Sequence, residues 1–398
     1  MTFADTSQHA QERSIDPSTR KAMDPAFWVI CGLSLLVGFA VALPNLADPM
    51  IRHDDFPAYF ARPDMFWNKT LHEGRWLNWI WHMRGIITPS WLNFAVSQAL
   101  WALFAAGLAM AAMGREPKAI WLTAGLAALI IVSPSARVIS LWFNTIIPGV
   151  ALVALYALLA TVLRQKSLRI LLLPFTVVSF MAYTTYPVLL LIVCLARTND
   201  RSLRDLLGLL AWFTVCFGVA VLTVYTINLQ VHGVFGVPLD EWRNASPAQD
   251  LAGLVANLPL LGETLWLLSE RMGFAHPALA TPSVVFFGLV FVVATIVLAK
   301  RAPMEALYLH AGLWTGMALM VLQCLQLGLV IPARAFVFVW VVFALLLVRT
   351  VWALRGVSST GARMMRNAVV VVLGAQAVTS LDFYGDFRAC LLYTSPSP

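Results

Sequence analysis

Apolar stretches nearly free of charge alternate with short polar or basic ones along most of the chain. The stretches near 26–46, 86–113, 119–133, 146–163, 206–228, 283–299, 304–331, 335–354 and 367–380 are continuous rather than alternating. About 20 apolar residues in a helix match the bilayer core. Barrel strands would alternate apolar and polar positions, so the pattern predicts helices. Two short apolar pieces, 170–182 and 188–196, flank Tyr183-Thr184-Thr185-Tyr186-Pro187 and predict a re-entrant or kinked hairpin. Two long polar loops remain, 47–85 and 229–282. In the first, Trp76, Trp79, Ile80 and Met83 recur at helical spacing, predicting an amphipathic helix over 64–84 lying in the interface plane. In the second, Leu261, Leu265, Leu268 and Met272 do the same. The expected architecture is an all-α polytopic bundle of about 10–12 transmembrane helices, with interfacial helices in both long loops.

Composition supports this and excludes a soluble enzyme. The chain of 398 residues is 60% hydrophobic and 12% charged, against about 45–50% and 25% in soluble domains. The net charge of +7 would suggest nucleic acid in a soluble protein. Here sixteen of the 27 Lys and Arg fall in the segment 1–25 and in the loops 114–118, 164–169, 197–204, 300–301 and 355–366. Twelve of the 20 carboxylates lie on the opposite side. By the positive-inside rule the N-terminus is cytoplasmic and both long loops face the periplasm or its equivalent. The expected partner is the bilayer, with no nucleic acid. Segment 1–25 reads as a disordered cytoplasmic arm without a signal peptide, and 26–381 as the membrane domain. Cys31, Cys194, Cys216 and Cys324 sit in apolar segments without metal or disulfide spacing and read as packing residues. Residues 390–398 resemble translated adaptor sequence, so a non-native tail is expected, with 382–389 opening a periplasmic portion that is cut off.

Candidate chemistry gathers in the first long loop. Asp54 and Asp55 are adjacent, flanked by Arg52 and His53, just beyond a membrane helix. Like charges in a partly dry site raise one pKa, which suits a carboxylate that takes a proton from a hydroxyl. Arg75 and Arg84 are offered at headgroup depth, where arginine forks suit a lipid-linked phosphate. Elsewhere Arg137 and Arg334 reach the same face, and Tyr183 and Tyr186 could contact sugar or phosphate. Glu305 and His310, within or near a span, are suspects by position alone. His53, His72 and His82 lack metal spacing. No cofactor is expected, with a hard divalent ion on Asp54-Asp55 as the alternative.

Asp54-Asp55 after the first crossing, then Gly74-Arg75-Trp76-Leu77, Tyr183 to Pro187, Pro332-Ala333-Arg334 and Asp382-Phe383-Tyr384-Gly385-Asp386 together resemble the bacterial glucosyltransferase type II family, which modifies O-antigen, within the GT-C class. The resemblance extends over most of 26–389 in hydropathy and loop order. It implies a multi-helix transferase moving a hexose, the glucose of that family, from a polyprenyl-phosphate donor to a cell-envelope glycan on the outer face of the bacterial inner membrane; the expected reaction is inverting and metal-independent. An acid of the first loop would be the base. Arg52, Arg75, Arg334, Tyr183, Tyr186, Trp76 and His53 would serve the donor. Which of Asp54 and Asp55 is the base stays open. The rival readings are a lipid-linked-sugar flippase, or a surface-glycan polymerase or ligase.

Overall fold

A computed structural model describes residues 25–49, 51–60, 62–114, 119–272 and 277–394. The arm read at 1–25 lies almost wholly outside them, as do the last four residues. Among the described residues the regular elements are all helices. The first loop follows α1 (Pro25–Leu46) and carries the short helices α2 (Phe56–Tyr59), α3 (Asn68–Glu73) and α4 (Trp76–His82). Next come α5 (Ser90–Met113), α6 (Ile120–Ile131), α7 (Pro134–Ile139) and α8 (Phe143–Ala160). The predicted hairpin is α9 (Gln165–Phe180) and α10 (Tyr186–Arg197), and α11 (Leu203–His232) leads to the second loop. That loop holds α12 (Leu251–Ala256) and α13 (Leu258–Met272), before α14 (Pro277–Arg301), α15 (Pro303–Leu327), α16 (Val337–Ala353) and α17 (Thr360–Thr394).

Nine helical stretches among the described residues are long and apolar enough to cross a membrane. The protein is a polytopic helical membrane protein by length and composition. The expected ten to twelve spans differ from nine because α6 and α10, at 12 residues each, and α9, at 16, extend only about 18 to 24 Å. One of the nine, 251–270, falls where a loop was expected. It is broken at Asn257, whose side-chain amide donates to Ser246 O at 3.0 Å and Leu325 O at 2.8 Å. Thr264 Oγ1 accepts from the Ile331 backbone at 3.0 Å. These bonds tie the stretch to the end of α15.

The centre is built from α5, α8, α10 and α16, and every residue of α10 is buried. Lipid tails are as apolar as side chains, so helices associate in a membrane through close approach rather than through hydrophobicity. Small residues supply it here. A Cβ at Gly107 of α5 would lie 2.8 Å from the backbone of Ala157 in α8. At the periphery, α1, α11, α14 and α17 expose Leu36, Leu222, Leu289 and Val370, the surface expected to meet lipid.

The two ends of the bundle differ. At one, Arg169 grips Asp205 with two bonds of 2.6 and 2.7 Å. Beside it Glu305 meets Arg349 at 2.8 Å and Arg201 at 3.8 Å. Glu305 thus belongs to an ion cluster joining α15, α16 and the 198–202 turn, and Arg349 is partnered within its span. His310 lies 3.2 Å from Thr295, a polar tie between α14 and α15. Cys31, Cys194, Cys216 and Cys324 are buried thiols. The other end gathers both long loops, the 181–185 turn and the 328–336 segment.

Two expectations for this end are corrected. Segment 64–84 is not one helix, because Gly74, at φ +66°, breaks it into α3 and α4. Segment 133–145 is not an open loop but α7, a short 3-10 turn and the start of α8, with Ser133, Ser135, Arg137 and Ser140 buried. At the other terminus α17 runs on through the 382–389 segment to Thr394.

Candidate active site

Four anchors fix the first loop before any chemistry arises. Gly74 turns the chain in the left-handed region, and a Cβ there would also meet Val224 at 2.8 Å, so only glycine permits the turn. This places Glu73 and Arg75 side by side. Trp76 donates its indole N–H to Asn228 Oδ1 at 2.8 Å, Asn78 donates to Ala182 O at 3.0 Å, and Trp81 donates to Asn144 O at 3.0 Å. Trp67, Trp76, Trp79 and His232 pack with ring centroids 4.8 to 6.0 Å apart. On α4, Trp76, Asn78 and His82 face protein, whereas Ile80 and Met83 face outward. Trp76 therefore holds α4 onto α11 and does not line the pocket.

That pocket is lined by Asp54, Arg75, Ile139, Trp142, Ile146, Tyr183 and Arg334. Four residues singled out in the sequence, Asp54, Arg75, Tyr183 and Arg334, meet here from widely separated segments. The Arg75 guanidinium lies over the Tyr183 ring at 5.5 Å. Trp142, which the sequence did not mark, is flanked by Arg334 at 4.4 Å and Arg52 at 5.8 Å from its ring centroid. Burial, and then the charge of Arg334, lower the pKa of Arg52. Two guanidiniums thus share one indole. Tyr186 is buried behind the pocket with its ring against Gly149 and 5.3 Å from that of Tyr183; its hydroxyl has no hydrogen-bond partner among the described residues. The side chain of His53 lies outside the described residues. Arg137 is buried against Phe383 and away from the lining.

The two acids part company. Asp54 Oδ1 lies 3.0 Å from Lys69 Nζ, and Oδ2 lies 3.7 Å from Arg75. Asp55 turns inward and is fully buried. It accepts from the backbone N–H groups of Thr145 at 2.7 Å and Asn144 at 3.4 Å, and lies 2.6 Å from Thr145 Oγ1. Asp55 thus does an N-cap's work for α8 from a distant segment, at the positive end of that helix. Burial pushes its carboxyl up to about 7 against the pull of those hydrogen bonds, and the Asp54 charge adds to the rise. Desolvation rather than mutual repulsion is the main cause.

Three residues outside the sequence motifs complete the charge pattern. Glu73 meets Arg75 at 2.6 Å, Lys69 at 3.2 Å and Arg243, from the second loop, at 2.9 Å. Burial alone would raise the Glu73 carboxyl, but Arg75, Lys69 and Arg243 together hold it at about 2. Removing one partner of a buried pair costs about 3–5 kcal/mol. Glu73→Gln should therefore lower thermal stability by that order and speed hydrogen exchange over 241–256, where Arg243 anchors the second loop. Because the folded pKa is depressed, the stabilisation is present above the unfolded value near 4.5 and lost only as pH falls through about 2. Unchanged stability in the variant between pH 5 and 8 would contradict this role.

A divalent ion does not fit this donor set. Both oxygens of Asp55 are spent on α8, Asp54 faces Lys69 and Arg75, and among the described residues no three His, Cys, Asp or Glu side chains gather. The pocket has room for one water-sized molecule. No protein-family model and no curated protein matches the chain.

Proposed function

We propose that the protein is an inverting glycosyltransferase of the GT-C class. It would move a hexose from a polyprenyl-phosphate donor to a cell-envelope glycan such as O-antigen, at the periplasmic face of a bacterial inner membrane. The observation that carries the reading is the pocket in which one carboxylate, Asp54, faces Arg75, Arg334 and two aromatic rings at the end of a membrane bundle. A lipid-borne phosphate needs cationic groups at headgroup depth, and a hydroxyl acceptor needs a base within reach of the same centre.

In this mechanism Asp54 accepts the proton of the acceptor hydroxyl. The oxygen forms its bond to the anomeric carbon as the bond from that carbon to the phosphate oxygen breaks. The leaving phosphate keeps the electron pair, and Arg75, Arg334 and Arg52 stabilise its charge. As Arg75 turns to the phosphate it relaxes its hold on Asp54, 3.7 Å away. Attack opposite the leaving group inverts the anomeric configuration. No metal is required, since the guanidiniums supply the positive charge.

The test is product formation by purified protein in detergent, supplied with polyprenyl-phosphate hexose and a glycan acceptor. One hexose added per acceptor site is the expected result. A flippase makes no new bond in a single compartment, so absence of product, together with donor translocation in vesicles, would overturn the proposal.

A further inference from the structure

We propose that Thr145 is the positioning residue that fixes the Asp54 backbone, and that it does so with Asp55 carried as a neutral carboxylic acid. The inference rests on Asp54 being the base and concerns how that base is held.

It follows from counting hydrogens. Thr145 Oγ1 lies 2.6 Å from Asp55 Oδ1, 2.8 Å from the backbone oxygen of Asp54 and 3.4 Å from His82 Nε2. A hydroxyl has one hydrogen to donate and two lone pairs to accept with. The Asp54 carbonyl can only accept. If Asp55 were ionised it too could only accept, and one of the two short oxygen contacts would lack a hydrogen. With a proton on Asp55 Oδ1, that acid donates to Thr145 Oγ1, and Thr145 donates to the Asp54 carbonyl. His82, buried with its pKa lowered to about 4 by burial and then by Arg84, is neutral and donates from Nε2 into the remaining lone pair. Every capacity of the hydroxyl is then used, and Asp55 Oδ1 still accepts the Thr145 backbone N–H at 2.7 Å. Unmade bonds among buried groups are costly, so the protonated arrangement is the one this geometry satisfies.

The groups facing Asp55 fit a neutral acid. Asp54 is the neighbouring carboxylate, Tyr59 and His82 are uncharged, and Arg84 is turned to Trp81 O and Asn144 Oδ1. Asp55 is fully buried, and no ion pair to it is found among the described residues. It raises to about 7 mainly through that burial. Nothing in the order of residues marks Thr145, because its partners lie about 90 residues away.

The experiment compares wild type, Thr145→Ser, Thr145→Val and Asp55→Asn in detergent by infrared spectroscopy and by hexose transfer across pH. Wild type at pH 6 should show a protonated-carboxyl band that is absent from Asp55→Asn. Thr145→Ser should keep the band, while Thr145→Val should shift it to higher frequency as the acid loses its acceptor. Transfer by Thr145→Val should fall about 10²-fold in kcat with KM little changed, the size expected when a base is misplaced by about 1 Å. Thr145→Ser should restore it. Lack of any band sensitive to Asp55→Asn at pH 6 would overturn the proposal without reference to activity, even if Thr145→Val fails to fold. Wild-type transfer and an unshifted band in Thr145→Val would overturn it too. Normal transfer by Asp54→Asn would instead refute the assignment of the base while leaving the infrared result standing.

Discussion

Asp54→Asn should insert in the membrane as wild type does and lose transfer by about 10²–10⁴-fold, the usual contribution of a general base. Asparagine keeps the shape of the side chain but cannot take the acceptor proton. The substitution also removes a negative charge beside Lys69 and Arg75, which now meet Glu73 as their remaining carboxylate here. The pocket becomes more cationic, so the donor phosphate should bind at least as tightly. The signature is a collapsed kcat with an unchanged or lowered KM for donor, measured on purified protein. A raised donor KM with kcat preserved would mean that Asp54 serves binding, and the base must then be sought elsewhere.

Asp55→Asn should change the pH dependence of stability rather than its mere size. The Asp55 carboxyl stands near 7 in the folded protein against 3.8 as the ordinary value. A raised pKa stabilises most below about 3.8, and the stabilisation is lost as pH rises through about 7. The difference of about three pH units corresponds to roughly 4 kcal/mol. His82 acts in the opposite sense. Its pKa is lowered from 6.5 to about 4, so stability from it grows as pH rises between those values. In wild type the two trends oppose each other between pH 4 and 6.5, and the Asp55 loss completes near 7. Asp55→Asn removes one of them, so its stability should rise with pH up to about 6.5 and then level off. Denaturation in detergent from pH 4 to 8 reads both curves, and parallel curves would refute the burial of an acidic Asp55.

Much of this arrangement could be read from residue order, and the failures have physical causes. Continuous apolar runs located the spans because a bilayer leaves backbone groups no partner but the helix itself. Asp54, Arg75, Tyr183 and Arg334 were all legible as charged or aromatic groups at predicted span ends, and they meet in one pocket. The periodicity of Trp76, Trp79, Ile80 and Met83 was real, but Gly74 stopped the helix, and hydrogen bonds to Asn228 and Ala182 set which face turned inward. The division of labour between Asp54 and Asp55 was not legible. Adjacent residues leave a 3-10 turn in different directions, and only the distant N-terminus of α8 decides which carboxylate is consumed. Glu73, Arg243, Trp142 and Thr145 were missed for the same reason, since their significance lies in partners from other segments.

The shortness of α10 bears on how the protein is made. Twelve residues, about 18 Å of helix, cannot present a full crossing to the insertion machinery. Its wholly buried surface has no lipid-facing side to settle first. Part of its cover comes from α15 and α16, which are synthesised after it. The pocket that Tyr183 lines also needs Arg334, so its lining is complete only when most of the chain has left the ribosome.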